Sequence, residues 1–254
     1  MIIEDRSLFD YLVFIGRFQP FHVGHLAVIK TALAQSKHVI LLIGSAKQPR
    51  STRNAFNFDE RKQMVLSAFD REDVARIHCV PLEDVLYNDQ RWVKSVEQAV
   101  QSVTGDNPTL KTGLVGHYKD RTSYYLSLFP NWEPVSVPSY RGISATPIRD
   151  AYLLGALPSL DIVPASTLTV LQTFMQSVDY QQLQEEAHYI VDYKKSWASV
   201  PYPPTFVTVD AVVMHSNHVL LIERGGLPGL GLYALPGGFL DPDETLFNAC
   251  LREL

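Results

Sequence analysis

Two histidines, an arginine and two glycines occur together in one short segment near the N-terminus, Gly16-Arg17-Phe18-Gln19-Pro20-Phe21-His22-Val23-Gly24-His25. The apolar run before it predicts a strand, and the pattern after it predicts a helix. Glycines let the backbone approach a ligand closely, and the N–H groups at the start of a helix attract anions. His22 and His25 share one face of that helix because they are three residues apart. Together with Arg17 they predict a triphosphate site; the alternative is that each histidine merely packs or caps.

A second segment with similar chemistry follows the last predicted strand, Gly142-Ile143-Ser144-Ala145-Thr146-Pro147-Ile148-Arg149. Thr146 is predicted as the N-cap of a helix and Pro147 as its first residue, where a missing N–H costs nothing. The hydroxyls of Ser144 and Thr146 and the guanidinium of Arg149 predict another anion site. An ordinary capped helix with a surface Arg149 is the alternative.

Both segments need a scaffold that brings them together. Five compact apolar runs predict buried strands: Tyr11–Ile15, Val39–Ile43, Ile77–Pro81, Gly113–Gly116 and Glu133–Val137. Amphipathic helical patterns separate these runs, and this alternation predicts an α/β fold with a Rossmann-like, doubly wound parallel sheet covered by helices. Ligands of such sheets bind beyond the carboxyl ends of the strands, which is where both segments start.

The first segment resembles the HxGH motif of the nucleotidyltransferase superfamily in its longer form, and the second resembles the ISxTxxR motif of the same superfamily. Members of that superfamily clamp the β- and γ-phosphates of a nucleotide between the two segments. The resemblance implies a phosphate and ATP site formed by Gly16, Phe18, Gly24, Ser144, Thr146 and Arg149.

Lys47 lies directly after Gly44-Ser45-Ala46 and the second predicted strand, so we expect it to contact a phosphate at the rim of the crevice. The run from Gly44 to Lys47, with Phe56-Asn57-Phe58-Asp59-Glu60-Arg61, resembles nicotinamide mononucleotide (NMN) adenylyltransferases of archaeal type. The segment Tyr87–Trp92 shows the same resemblance.

In that family an aromatic side chain stacks on the nicotinamide ring and a neighbouring polar group recognises its carboxamide. By position, Trp92 is expected to stack and Asn88 or Asp84 to recognise the carboxamide; the alternative is a core position for Trp92. The other residues expected at the site are Phe14 and Ile15 on the mononucleotide side and Gly116 and Asp120 on the adenosine side.

The chemistry implied is in-line attack of the NMN phosphate on the α-phosphorus of ATP, which forms NAD and releases pyrophosphate. No nucleophilic side chain is needed, because positioning and charge stabilisation supply the catalysis. His25 is expected against the α-phosphate, with His22, Arg17, Lys47 and Mg²⁺ on the phosphate tail. A nucleotidyltransferase for another phosphorylated acceptor is the alternative.

Near the C-terminus, Gly238, Glu244, Arg252 and Glu253 have the spacing of the opening of the Nudix box. That resemblance implies a Mg²⁺ site on one helical face, with Glu253 as a metal ligand, and hydrolysis of a nucleoside diphosphate such as ADP-ribose. The later glutamates of the box would follow Leu254, so we expect the sequence to be part of a longer bifunctional protein. A sensor of NAD metabolites with a non-catalytic Nudix module is the alternative.

A change in composition predicts three regions: an adenylyltransferase domain at 1–178, a helical and Pro-rich linker at 179–204, and part of a Nudix domain at 205–254. In the last region, an antiparallel hairpin is predicted with its turn at Ser216-Asn217.

The composition, with 46% hydrophobic and 19% charged residues, is that of a globular protein with a substantial core. The net charge of −5 gives no basic field for nucleic acid or an anionic membrane. The two cysteines are expected to be reduced, and no apolar run reaches the ~18 residues of a membrane span. We therefore expect a cytoplasmic protein whose partners are ATP, NMN, NAD and, for the second module, ADP-ribose. A homo-oligomer is compatible with the sequence.

Overall fold

The computed structural model describes residues 8–116 and 127–254. The chain forms two compact units, Met1–Leu183 and Gln184–Leu254. This division lies inside a long helix, whereas the sequence predicted a boundary just before that helix. Tyr180 and Leu183 explain the difference, because both are buried and the Tyr180 hydroxyl donates to the carbonyl of Tyr152 at 2.8 Å.

A five-stranded parallel sheet forms the centre of the first unit. Its strands are β1 (Phe9–Gly16), β2 (Ser36–Ile43), β3 (Ile77–Pro81), β4 (Thr112–Gly116) and β5 (Glu133–Ser136). Their order is β3-β2-β1-β4-β5, and all neighbouring pairs are parallel. The predicted parallel α/β sheet is therefore confirmed.

Register aligns the carboxyl ends of these strands. Gly16 pairs with Ile43, Ile43 with Pro81, and Gly116 with Ser136. The strand order reverses between β1 and β4, and crevices at such switch points are the usual ligand sites of open parallel sheets.

Seven helices accompany the sheet among the described residues. They are α1 (Val23–Leu33), α2 (Phe58–Leu66), α3 (Arg71–Val74), α4 (Asp89–Thr104), α5 (Ala145–Leu153), α6 (Ala165–Phe174) and α7 (Val178–Ser196). On one face, Val96 and Val100 of α4 pack with Val13, Ile40 and Leu114 of the strands in one buried cluster. Helices α1 and α2 also contact β2 without contributing a residue to that cluster.

The second unit contains short antiparallel pairs of strands. Its elements after α7 are β6 (Thr208–Asp210), β7 (Met214–His215), β8 (His218–Val219), β9 (Ile222–Glu223), β10 (Tyr233–Ala234), β11 (Gly237–Phe239) and α8 (Leu246–Arg252). β6 pairs with β11, β7 with β8, and β9 with β10. The turn between β7 and β8 lies at Ser216-Asn217 as predicted, with φ of 47° and 62°, the left-handed values of a tight hairpin.

Among the described residues, none of the helices has both the length and the apolar character needed to cross a bilayer.

Candidate active site

His22 directly precedes α1 and caps that helix. Its backbone is extended, and its Nδ1 accepts hydrogen bonds from the N–H groups of Gly24 at 3.1 Å and His25 at 3.4 Å. In return, Nδ1 of His25 accepts from the backbone N–H of His22 at 3.3 Å. This reciprocal arrangement is a capping box, and it pairs donors that the first turn of a helix leaves open. The sequence analysis gave capping as the alternative to phosphate binding, and the structure shows that His22 does cap α1. Capping does not prevent its Nε2 from also contacting a ligand.

These contacts determine which ring nitrogens carry protons. Because both Nδ1 atoms accept backbone hydrogen bonds, the proton of each neutral ring lies on Nε2. Burial lowers the pKa of His22 to about 4; burial and the nearby charge of His22 lower the pKa of His25 well below its usual value. At neutral pH the pair therefore offers two uncharged Nε2–H donors.

Three phenylalanine rings surround His25. Phe18 approaches it edge-on with ring centroids 4.8 Å apart, Phe21 is stacked at 5.8 Å, and Phe14 is tilted at 6.3 Å. On the remaining side, the His22 ring stacks on it with centroids 3.6 Å apart. This apolar enclosure desolvates the imidazole and fixes its orientation, as required of a preorganised donor.

The two segments singled out in the sequence line one cleft. Its volume is about 230 Å³, and its walls include Phe14, His22, Gly24, His25 and Ser144. The rest of the wall comes from Val28 of α1 and from the segment between β5 and α5: Pro138, Ser139, Tyr140, Ile143 and Ala145. The fold thus brings residues far apart in sequence to the carboxyl end of β1.

The start of α5 differs from the prediction. Ser144 is the N-cap, with an extended backbone and no side-chain cap hydrogen bond, and the helix begins at Ala145. The prediction that Thr146 caps the helix and Pro147 begins it is therefore wrong. Thr146 is an exposed second helical residue and Pro147 is the third. Proline is tolerated there because none of the first four N–H groups has a partner within the helix.

Arg149 lies inside the protein, so the surface position considered as an alternative is excluded. It is 4% exposed, its Nε donates to the carbonyl of Thr52 at 2.8 Å, and its Nη1 donates to that of Gln19 at 3.1 Å. Its Nη2 pairs with Asp150 at 3.6 Å. Arg149 thus ties α5 to the loops after β1 and β2 in this structure, and its contact with a phosphate stays a prediction.

The loop after β2 contributes polar groups beside Arg17. Asp84 accepts a hydrogen bond from the Ser45 hydroxyl at 3.1 Å, and its charge raises the pKa of Arg17, which burial and Arg53 lower. Lys47 is mostly exposed and pairs with Glu83. Asp84 therefore lies within the charge environment of Arg17, and its predicted role in recognising the nicotinamide carboxamide stays a prediction.

Arg61 and Gln19 are structural partners of this site that the sequence reasoning did not select. Arg61 is fully buried and donates to backbone carbonyls at the carboxyl ends of β1 and β2. Gln19 is also buried, and its side chain both donates to and accepts from the backbone of Phe56. The available signal was that Gln19 lies inside the first segment and Arg61 at the end of the Phe56–Arg61 run.

The residues expected on the nicotinamide side are not brought together: Phe14 lines the first cleft, and the others lie in a second cleft or against the core. A cleft of about 640 Å³ is lined by Asp84, Asn88 and Arg91, among others. Asn88 caps α4 by accepting from the N–H of Arg91 at 2.9 Å. Trp92 packs against the buried cluster, with its ring centroid 5.9 Å from that of Phe129, and Ile15 packs there too. The core position that was the alternative for Trp92 is thus observed here, and stacking on a nicotinamide stays a prediction.

Gly116 is the last residue of β4 and is buried. Asp120, predicted on the adenosine side, lies outside the described residues.

In the second unit, the Arg252 side chain contacts two other residues whose spacing resembles the Nudix box, Glu244 and Glu253. Its guanidinium pairs with Glu244 at 2.9 Å and with Glu253, and it donates to the carbonyl of Phe239 at 2.9 Å. The hydrogen bond from Arg252 lowers the pKa of Glu244. A Cβ at Gly238 would meet the Glu253 carboxylate, the far end of a flexible side chain that would have to shift.

A metal site at Glu253 is not complete in this arrangement. Its carboxylate is engaged by Arg252, and the described part of the chain contains no group of three His, Cys, Asp or Glu side chains able to hold an ion. The residues present thus do not fit a Mg²⁺ site by themselves.

Comparisons with known proteins agree with this geometry. The cytidylyltransferase-like family model matches residues 13–151 and the NUDIX domain model matches residues 204–254. A nicotinamide/nicotinic acid mononucleotide adenylyltransferase of Acinetobacter baylyi is 48% identical over 179 residues, which cover 70% of this chain and 93% of that protein. A nicotinamide-nucleotide adenylyltransferase of Thermoplasma volcanium is 45% identical over 83 residues, 33% of this chain and 46% of its own length.

A solved structure extends the similarity to both units. It is a bifunctional NMN adenylyltransferase/ADP ribose pyrophosphatase from Francisella tularensis, in complex with AMP and a manganese ion. Its TM-score is 0.87 at 38% identity, and the match covers 96% of this chain and 72% of that one. The chain therefore belongs to the cytidylyltransferase-like family, among its nicotinamide mononucleotide adenylyltransferases, and carries a NUDIX domain behind that part.

Proposed function

We propose that the first unit transfers the adenylyl group of ATP to NMN, forming NAD and pyrophosphate. The observation that carries this proposal is the cleft at the carboxyl end of β1, where His22, Gly24 and His25 face Ser144. Helix starts with free N–H groups attract phosphates, and α5 begins at this cleft without a side-chain cap hydrogen bond. The first N–H groups of α1 are already paired, so α1 contributes the imidazoles of His22 and His25 instead.

The reaction joins a phosphate oxygen of NMN to the α-phosphorus of ATP, and the bond from that phosphorus to the bridging oxygen breaks as pyrophosphate leaves. The side chains hold the reactants in line and stabilise the charge that moves onto the leaving group. The Nε2–H groups of His25 and His22 are assigned to the phosphate oxygens, since their Nδ1 atoms are occupied by the capping box. Arg17 adds a full positive charge.

Mg²⁺ would enter with the nucleotide, where it would supply charge stabilisation at the phosphates. The described residues that line the cleft offer imidazoles, three hydroxyl-bearing side chains and apolar groups, with no carboxylate among them. This donor set fits a metal held by the triphosphate better than an ion held by the protein.

The acceptor is assigned to the larger cleft beyond β3. Asn88 and Asp84 line it, and an amide and a carboxylate can both hydrogen-bond a carboxamide.

For the second unit we propose hydrolysis of a nucleoside diphosphate such as ADP-ribose, on the strength of the NUDIX match and of the activity named for the Francisella protein. Among the described residues, the Glu253 carboxylate is engaged by Arg252.

The test incubates the chain with ATP and Mg²⁺ and measures pyrophosphate and dinucleotide with and without NMN. Nicotinic acid mononucleotide and 4′-phosphopantetheine serve as competing acceptors, and chelation of the metal should stop turnover. His25→Ala should lower kcat by about 100-fold or more while ATP still binds, because one preorganised donor is lost. His188→Ala, an exposed histidine of α7, is the control. Pyrophosphate release that does not depend on NMN, or His25→Ala with unchanged turnover, would contradict the proposal.

A further inference from the structure

Arg61 connects the ends of the two strands that border the candidate phosphate site. Its Nη1 donates to the carbonyl of Arg17, directly after β1, at 2.8 Å, and to that of Gly44, directly after β2, at 2.6 Å. Its Nε donates to the carbonyl of Asn57 at 3.0 Å, which holds the guanidinium against the start of α2. One side chain from α2 thus fixes two loops that are distant from it in sequence.

The residue after each of these strand-end carbonyls has an unusual backbone conformation. Phe18 has φ 52° and Ser45 has φ 51°, both in the left-handed region that residues with a Cβ rarely adopt. Such conformations persist where surrounding contacts hold them, and they concentrate at ligand sites. The hydrogen bonds from Arg61 to the carbonyls just before Phe18 and Ser45 are contacts of this kind.

The direction of the peptide groups follows from their planarity. In a trans peptide the N–H points opposite to the C=O. Since the carbonyls of Arg17 and Gly44 point at Arg61, the N–H groups of Phe18 and Ser45 point away from it. Turned peptides whose N–H groups are presented in this way form anion-binding concavities at many phosphate sites.

Arg61 itself is fully buried, so its guanidinium acts through the loops that it holds and not by direct contact with a ligand. Its position beside Arg17 and Asp84 places a further positive charge behind the site.

We propose that Arg61 is a positioning residue for adenylyl transfer, which holds the left-handed turns at Phe18 and Ser45 so that their N–H groups are presented to the phosphates of the nucleotide. This inference rests on the proposed function of the cleft. It assigns to α2 a role in a site that the two sequence motifs alone did not include.

Arg76 provides a matched control. It donates from Nη2 to the carbonyls of Leu33 at 2.6 Å and Ser36 at 2.7 Å, and from Nε to that of Lys37 at 3.0 Å. The carbonyls of Ser36 and Lys37 lie at the start of β2 and that of Leu33 at the end of α1, at the opposite end of the sheet from the cleft. Arg76 therefore makes the same kind of contact without reaching the candidate site.

The experiment compares Arg61→Lys and Arg61→Met with Arg76→Lys and Arg76→Met in the full chain. It measures kcat and KM for dinucleotide formation, the Kd of inorganic pyrophosphate by calorimetry, and Tm. A lysine ammonium cannot span the carbonyls that a guanidinium holds. We expect Arg61→Lys to lower kcat about 100-fold, as a misplaced site does. Its Kd for pyrophosphate should rise about tenfold, the equivalent of one lost hydrogen bond. The Arg76 variants should lower Tm and leave kcat and Kd within about threefold of the wild type.

Unchanged kcat and Kd in a folded Arg61→Lys chain would overturn the inference. Equal losses of kcat and of pyrophosphate affinity in the Arg76 variants, at equal Tm, would also overturn it. The same holds if Arg61→Lys does not fold while Arg76→Lys does, since Arg61 would then support the fold as a whole. The Arg61→Met variant is used only if it folds. If it does not fold, the Arg61→Lys variant provides the test. If the wild type forms no dinucleotide, the proposed function fails, and the pyrophosphate titration still tests Arg61.

Discussion

Replacement of His22 by asparagine should remove a specific part of the pH dependence of stability. Asparagine is a good N-cap, because its Oδ1 can accept the hydrogen bonds from Gly24 and His25 that Nδ1 of His22 accepts in the wild type. Unlike histidine, it does not titrate. His22→Asn therefore keeps the start of α1 and eliminates one buried imidazole.

The magnitude follows from the shifted pKa. Burial lowers the pKa of His22 from 6.5 to about 4, so the unfolded chain binds a proton in this range that the folded chain does not. A difference of roughly 2.5 pH units, at 1.36 kcal/mol per unit, amounts to about 3 kcal/mol. Proton linkage fixes the direction of the effect. The His22-dependent part of the free energy of unfolding is fully present above pH 6.5 and is lost as the pH falls through 6.5 toward 4.

The assay is urea unfolding of the full chain at pH values from 7.5 to 4.5. The wild type should lose free energy of unfolding more steeply than His22→Asn below pH 6.5, by up to about 1.4 kcal/mol per pH unit. His25, whose pKa is lowered mainly by burial, remains in both proteins. The smaller part of its shift that comes from His22 is lost in His22→Asn together with the titration of His22 itself, so both changes flatten the pH slope. His188→Asn, at an exposed position, controls for the chemical change itself. An identical pH slope in His22→Asn and the wild type would refute the reasoning.

Two further stability effects follow from packing. Gly113→Ala should lower the free energy of unfolding by about 2 kcal/mol or more, because a Cβ there would lie 2.7 Å from Leu12 and 2.9 Å from the carbonyl of Glu133. Gly44→Ala, whose Cβ would meet nothing closer than 3.7 Å, is its control in urea unfolding; equal losses would count against the steric argument. Tyr152→Phe should cost about 1 kcal/mol, the net value of one hydrogen bond, because the carbonyl of Leu171 loses the Tyr152 hydroxyl, now at 2.8 Å, and keeps the N–H of Met175. A Tm equal to that of the wild type would contradict this expectation.

Much of the fold could be read from the sequence. The alternation of apolar runs and amphipathic helices predicted a parallel sheet, and the observed order β3-β2-β1-β4-β5 is of that kind. The Ser216-Asn217 turn was predicted as well, since few residue pairs accept two left-handed conformations in a row. Periodicity and turn chemistry are local properties, so the sequence contains them directly.

The residues that cap the helices could not be predicted from the local sequence alone. His22 was recognised as part of a phosphate segment, but its capping role depends on the direction of a ring nitrogen. At the second segment, Thr146 and Ser144 are equally good caps by residue type, and the path of the chain from β5 decided for Ser144.

The sequence by itself was enough to identify Gly16–His25 and Ser144–Arg149 as motifs of one family, because their residue types and spacing recur there. From these motifs it predicted one phosphate site. Only the tertiary structure decided what each side chain contacts. Arg149 and Arg61 donate to carbonyls far away in the chain, and Trp92 packs against Phe129 in the core. The physical reason is that burial and hydrogen-bond partners arise when distant segments meet: desolvation then sets the pKa of His22 and His25, which no local pattern encodes.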